Sequence, residues 1–267
     1  MRKRIIGIDF SGARDACSKI WLAEGLIKGG TLVIQRCIAA KDLFGLAKAR
    51  QACYGALKKY IGKQSDAVFG LDFPFGLPAK ILEQPSWEKV LEDFSHRFDS
   101  PETFRLQFRK AAGRELKRET DLLSQTPFSP YNLRIYKQTY YGITQILGPL
   151  VRTNQAVGLP MQKPRSNVSW LVEICPASTL KKLNLYVPYK GKGKRRHAAR
   201  QTILSKICSA ASLRLESNDI KETVIQDRYG DALDSLVAAA AAFNARKKIE
   251  AGWKPEVKNM GEGWVYA

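Results

Sequence analysis

The sequence predicts an α/β fold in a single domain spanning 1–267. Three observations carry that prediction. Short apolar runs separated by glycine turns open the chain, an apolar strand returns after a helical stretch, and a long alanine-rich helix follows a polar helical block. The opening runs are Arg4 to Phe10, Ser18 to Glu24 and Thr31 to Ile38, joined at Ser11-Gly12 and Gly29-Gly30, and they read as an antiparallel three-stranded meander.

From Lys41 to Ile61 the apolar positions Leu43, Leu46, Ala47, Ala49, Tyr54, Leu57 and Ile61 keep helical spacing. Asp66 to Phe73 then has the continuous apolar character of a buried parallel strand. After Pro74 and Pro78 the pattern turns to polar helices, at Ser86 to Phe98, Pro101 to Leu123 and Tyr131 to about Leu147. These make 79–150 a helical insertion. Val168 to Cys175 is a further strand, closed by Pro176 before a helix near Ser178. A basic helix follows from about Arg196 to Ala211, then the alanine-rich helix from about Asp231 to Ile249, and 261–267 is a tail able to add a small strand.

Composition narrows the function classes. Hydrophobic content of 45% and charged content of 26% fit a soluble chain, and no run reaches the roughly 18 apolar residues that span a bilayer. The apolar run after Met1-Arg2-Lys3-Arg4 is interrupted by Asp9 too soon for a signal peptide, so cytoplasmic residence without a membrane partner is the expectation. The cysteines at 17, 37, 53, 175 and 208 form no CxxC pair and read as reduced core residues. Lys and Arg number 44 against 25 Asp and Glu, a net charge of +19. Between Asp121 and Glu216 the only carboxylate is Glu173. Such a basic stretch attracts polyanions, and Lys190, Lys192, Lys194, Arg195, Arg196 and Arg200 are its candidate nucleic-acid contacts. The rival reading of that run is a solvated loop entering a helix.

The acids are placed with equal economy. Asp9 in Gly7-Ile8-Asp9-Phe10-Ser11-Gly12 and Asp72 in Gly70-Leu71-Asp72-Phe73-Pro74 each end an apolar run, at the strand ends where open α/β sheets bind ligands. Gly7 and Gly70 leave room beside them on the same strand face. Asp231 and Asp234 share one face at the start of the alanine-rich helix, where Asp231 could act as a cap. Glu173 lies in an apolar strand, so it needs either a cationic partner or a metal. Converging carboxylates suit hard divalent cations such as Mg²⁺, whereas His96 and His197 have no metal-ligand spacing and form no nucleophilic relay.

The order of elements resembles the ribonuclease H-like superfamily. The motifs Gly7 to Gly12, Gly70 to Pro78, Glu173-Ile174-Cys175-Pro176-Ala177-Ser178 and Asp231-Ala232-Leu233-Asp234-Ser235-Leu236-Val237 resemble the predicted-nuclease family called domain of unknown function 429. Lys117-Arg118-Glu119-Thr120-Asp121 is similar to a further motif of that family. The resemblance implies a five-stranded mixed sheet flanked by helices, with the first strand central and beside the fourth. It also implies a Mg²⁺- or Mn²⁺-dependent nuclease acting on DNA or RNA. Asp9, Asp72, Glu173 and Asp234 are then its catalytic acids, and Asp9, Asp72, Asp234 and Asp231 its metal ligands. Asp234 is similar to the final-helix acid of Holliday-junction resolvases, a pattern from which Glu173 departs. Two other functions fit the chain: an actin-like ATP-dependent phosphotransferase, which shares the strand ending in Asp before Gly, and a binding module for nucleic acid without catalysis.

Overall fold

β1 (Arg4–Asp9) is apolar on both faces, and the chain covers both. A computed structural model describes residues 2–46, 49–82, 86–256 and 259–267. In it β1 pairs antiparallel with β2 (Trp21–Lys28) and parallel with β4 (Ala67–Leu71). β3 (Thr31–Ala39) completes the meander. Beyond β4 come β6 (Ser169–Ile174) and β5 (Ala156–Leu159), both parallel. β7 (Leu213–Leu215) pairs with β3, and β8 (Val265–Tyr266) with β6. The order β5-β6-β4-β1-β2-β3-β7, with β8 beside β6, gives eight strands among the described residues rather than five. The additional strands are short: β8, of 2 residues, lies in the tail expected to add a small strand, while β5 and β7 span 4 and 3 residues, too little for an alternation to register in sequence.

One face carries α1 (Ala16–Lys19), α2 (Ala40–Phe44), α3 (Arg50–Gly62) and the helical segment between β4 and β5. The helix expected from Lys41 to Ile61 is two helices, and Ala47 lies outside the described residues. In the segment 79–150, of which 83–85 lie outside the described residues, α4 (Trp87–Arg97) and α5 (Pro101–Ala112) start on Ser86 and Ser100 caps. Gly113 in the left-handed region then stops α5, so α6 (Glu119–Leu123) is a separate helix. α7 (Tyr136–Tyr141) runs through a π-helical stretch at Gly142–Leu147 into α8 (Gly148–Arg152). No described helix is long and apolar enough to cross a membrane.

The other face carries α9 (Pro176–Lys182), α10 (Lys194–Ala210), α11 (Asn218–Gln226) and α12 (Asp231–Glu250). α12 is buried along its alanine run and lies directly on β1 and β4. A Cβ on Gly7 would stand 2.1 Å from Ser235 O and Ala239 N, and one on Gly70 would stand 2.8 Å from Ala238 O. The two glycines therefore make room for this helix, not for the acids, and small alanines answer them from the helix side. Gly7→Val is expected to abolish the cooperative thermal transition followed by circular dichroism. Gly55→Ala, on the open side of α3, should be neutral or stabilise by about 0.5–1 kcal/mol. A Gly7→Val protein melting like the wild type would refute the close-approach argument.

Candidate functional site

Strand register decides which acids can meet. Gly7 pairs with Gly70 and Gly70 with Val172, so these three share the α12 face. Ile8, Leu71 and Glu173 are likewise in line, on the opposite face. Asp9 follows Ile8 and Asp72 follows Leu71, which returns both aspartates to the α12 side. They meet at the carboxyl ends of β1 and β4, where both line one pocket.

α12 delivers the other two acids. Its first turn carries Asp231 and Asp234, and the end-cap role that Asp231 could have filled falls to Asp227, whose Oδ2 accepts the Ala232 N–H at 2.9 Å. Asp234 is buried and accepts the Tyr189 hydroxyl at 2.5 Å. Lys190, next in sequence, puts its Nζ 2.6 Å from Asp234 Oδ2 and 3.8 Å from Asp231 Oδ1. Lys190 thus lies inside the acid cluster as well as at the start of the basic run.

Burial and neighbouring carboxylates leave Asp9, Asp72 and Asp231 reluctant to ionise. Asp9 is pushed well above the ordinary carboxylate range by burial, then by Asp234. Asp72 is pushed up to about 8 by the same two causes. Asp231 rises to about 6 through burial, against the opposing pull of Lys190. Burial works against the Lys190 charge, but Asp234 and Asp9 overcome it and hold the ammonium firmly protonated. One lysine does not satisfy four aspartates, so the cluster retains a demand for positive charge.

Glu173 is committed elsewhere. Its carboxylate takes Arg118 Nη1 at 2.9 Å and Nη2 at 2.5 Å, and the Phe75 N–H at 2.8 Å. Arg118 also binds Asp121 through Nε and Nη2 at 3.0 and 2.8 Å, and the Glu262 carbonyl through Nη1 at 3.0 Å. All five guanidinium N–H groups are therefore used. The salt-bridge reading of Glu173 describes its contacts, and the motif around Arg118 supplies the partner. The network ties α6, β6 and the 72–78 loop together beneath the pocket.

That pocket, about 700 Å³, is lined by Asp9, Asp72, Asp231 and Asp234 with Lys19, Arg196, Phe128, Tyr186 and Tyr229, and also by Glu173, Arg118 and Asp121. Gln138 from α7 donates its side-chain amide to the Asp72 carbonyl, so the helical segment also braces the β4 end. Of the basic residues singled out in sequence, Lys192, Lys194 and Arg195 are exposed, and Arg196 lines the pocket while donating to Pro188 O at 2.7 Å. Arg200 corrects the sequence reading: it is buried, its guanidinium donating to the carbonyls of Ile225, Tyr189 and Gly191. It holds the Tyr189-Lys190 loop against the body. Sequence reasoning passed over Lys19, Gln138, Tyr186, Tyr189 and Tyr229; Tyr189 carried a signal in its place beside the basic run and Tyr229 in its place two residues before Asp231.

Carboxylate oxygens are the donor type that hard divalent cations take, and the unmet positive-charge demand fits such an ion. Among the described residues, no group of three or more His, Cys, Asp or Glu stands ready as a coordination sphere. The Lys190 ammonium instead takes a cation's place beside Asp234. No curated protein and no solved structure matches the chain. A family model described as "Protein of unknown function (DUF429)" matches residues 7–251, across the strand-end motifs, Arg118 with its two carboxylate partners and all of α12, and the chain belongs to that family.

Proposed function

We propose that the chain is a metal-dependent nuclease of ribonuclease H-like fold that hydrolyses phosphodiester bonds in nucleic acid. The observation that carries this reading is the convergence of Asp9, Asp72, Asp231 and Asp234 in one pocket with basic residues at its rim. An antiparallel meander continued by parallel β4 and β6, with an acid-bearing helix laid across β1, supports the fold assignment.

Asp9, Asp72 and Asp234 would hold Mg²⁺ or Mn²⁺, with Asp231 beside them. When bound, the metal would supply an activated water and neutralise charge building on the phosphate. The chain's own residues do the rest. Tyr189 fixes the Asp234 carboxylate through its hydroxyl, and Lys190 adds a positive charge against which a phosphate oxygen can rest. Lys19 and Arg196 draw the phosphate backbone toward the acids. Glu173 works at one remove, as a positioning residue, because its hold on the Phe75 N–H fixes the loop that carries Asp72.

The test is cleavage of single-stranded, double-stranded and branched substrates across a Mg²⁺ and Mn²⁺ titration, by wild type and by the Asp9→Asn, Asp72→Asn double variant. Wild type should cleave only with metal, and the double variant should fall to background while still binding nucleic acid. Equal cleavage by both proteins would overturn the reading. Salt-dependent binding without cleavage by either would point to a binding module, and ATP binding in its place to a phosphotransferase.

A further inference from the structure

All ten tyrosines lie among the described residues, and only two of them are exposed: Tyr186 at 51% and Tyr229 at 50%. Both line the aspartate pocket. They come from different loops, Tyr186 from the connection between α9 and α10 and Tyr229 from the turn leading into α12. Each keeps a cation at its ring. Lys19 Nζ stands 3.8 Å from the Tyr229 ring centre and Arg228 5.0 Å from it, while Lys181 Nζ is 5.2 Å from that of Tyr186. Among the described residues none of these three cations is in an ion pair with a carboxylate: Lys19 lines the pocket, Arg228 donates to the Tyr229 hydroxyl at 3.1 Å, and Lys181 donates to the Gln125 carbonyl at 2.7 Å, so none has its charge neutralised.

An exposed aromatic ring flanked by a cation matches one repeat of an unpaired strand, whose base offers a flat face and whose phosphate offers a charge. A duplex keeps its base faces stacked inside and presents phosphates, for which a tyrosine ring has no use. A third ring, the half-buried Phe128, lines the same pocket with Arg134 5.5 Å from its ring centre. Building on the nuclease reading, we infer that the site takes nucleic acid as an unpaired strand, its bases stacking on Tyr186 and Tyr229 while the adjoining phosphate is led to the aspartates. The substrate class is a single strand, or the unpaired segment of a larger structure, in DNA or RNA.

Binding is measured in chelator, which separates it from catalysis. Fluorescein-labelled single strands of about twelve nucleotides, in DNA and in RNA, are compared by anisotropy with a blunt duplex of the same sequence. The single strands should bind at least about tenfold more tightly than the duplex at equal salt. Tyr186→Ala, Tyr229→Ala should weaken single-strand binding by about tenfold or more per lost stack, with duplex binding changed less than about twofold. Phenylalanine at both positions should restore single-strand binding, because the ring and not the hydroxyl is at work. Equal affinity for duplex, or an alanine double variant that binds single strands like the wild type, would overturn the inference. Metal-dependent cleavage alongside such a result would leave the nuclease reading standing. Tyrosine-dependent binding without cleavage would support the inference and remove the nuclease.

Discussion

Arg118→Met is expected to lower the free energy of unfolding by about 3–5 kcal/mol, the usual cost of stranding buried charge by removing its partner. The loss is large because one side chain answers two carboxylates. Without it Asp121 and Glu173 remain buried on side chains 2% and 3% exposed, and the Glu262 carbonyl loses a donor. Burial already raises the Glu173 carboxyl, with Arg118 opposing it, so the variant should take up a proton there as it folds. Lysine should not restore stability, because an ammonium cannot reproduce five N–H groups in a planar fork. A triple variant, Arg118→Met with Asp121→Asn and Glu173→Gln, should recover much of the loss, since no ion is then left without its partner. Denaturant unfolding measures all three, and a single Arg118→Met change costing under about 1 kcal/mol would show that the network is not what holds α6 to the sheet.

In chelator, stability is expected to fall as pH rises from about 4 to about 8. Asp9, Asp72 and Asp231 all have folded-state pKa values above their unfolded ones. The folded chain therefore binds protons more tightly, and that stabilisation is complete below the unfolded pKa and gone once pH passes the folded value. For Asp231 the window closes near pH 6, and for Asp72 near pH 8. Asp72→Asn mimics the protonated carboxyl at every pH. It should match the wild type near pH 4 and melt several degrees higher near pH 8.5, at about 2–4 °C per kcal/mol for a chain of this size. A bound divalent cation should cancel the wild-type deficit and leave the variant unmoved. Scanning calorimetry against pH checks the sign: a wild type that gains stability from pH 4 to 8 relative to Asp72→Asn would contradict the crowding of these carboxyls.

Much of this was legible from residues alone. The meander, the parallel strand before Asp72 and the alanine-rich helix all show in runs long enough to carry a period, and Asp9 and Asp72 show as strand ends followed by breakers. For Glu173 the sequence left a cationic partner and a metal both open for a physical reason: a one-residue difference in register moves a side chain to the other sheet face, and no local pattern records the register of a parallel pair. Its partner Arg118 lies 55 positions away, within a motif whose use is visible only once β6 and α6 meet. Arg200 counts toward the basic run by sequence, yet helical geometry turns it inward onto three carbonyls. Lys190 belongs to the same run and turns toward the acids.

The contact of Gly7 with Ser235 and Ala239 sets a dimension as well as a packing. Asp9 lies two residues beyond Gly7 on β1, and Asp234 immediately precedes Ser235 on α12. The separation of helix from strand, fixed by a missing side chain, is therefore the gauge that spaces these two carboxylates. Any methyl group added there would push α12 away from β1 and widen the gap between the two acids, so the tolerance of the acid cluster is built into the backbone and not into the acids themselves.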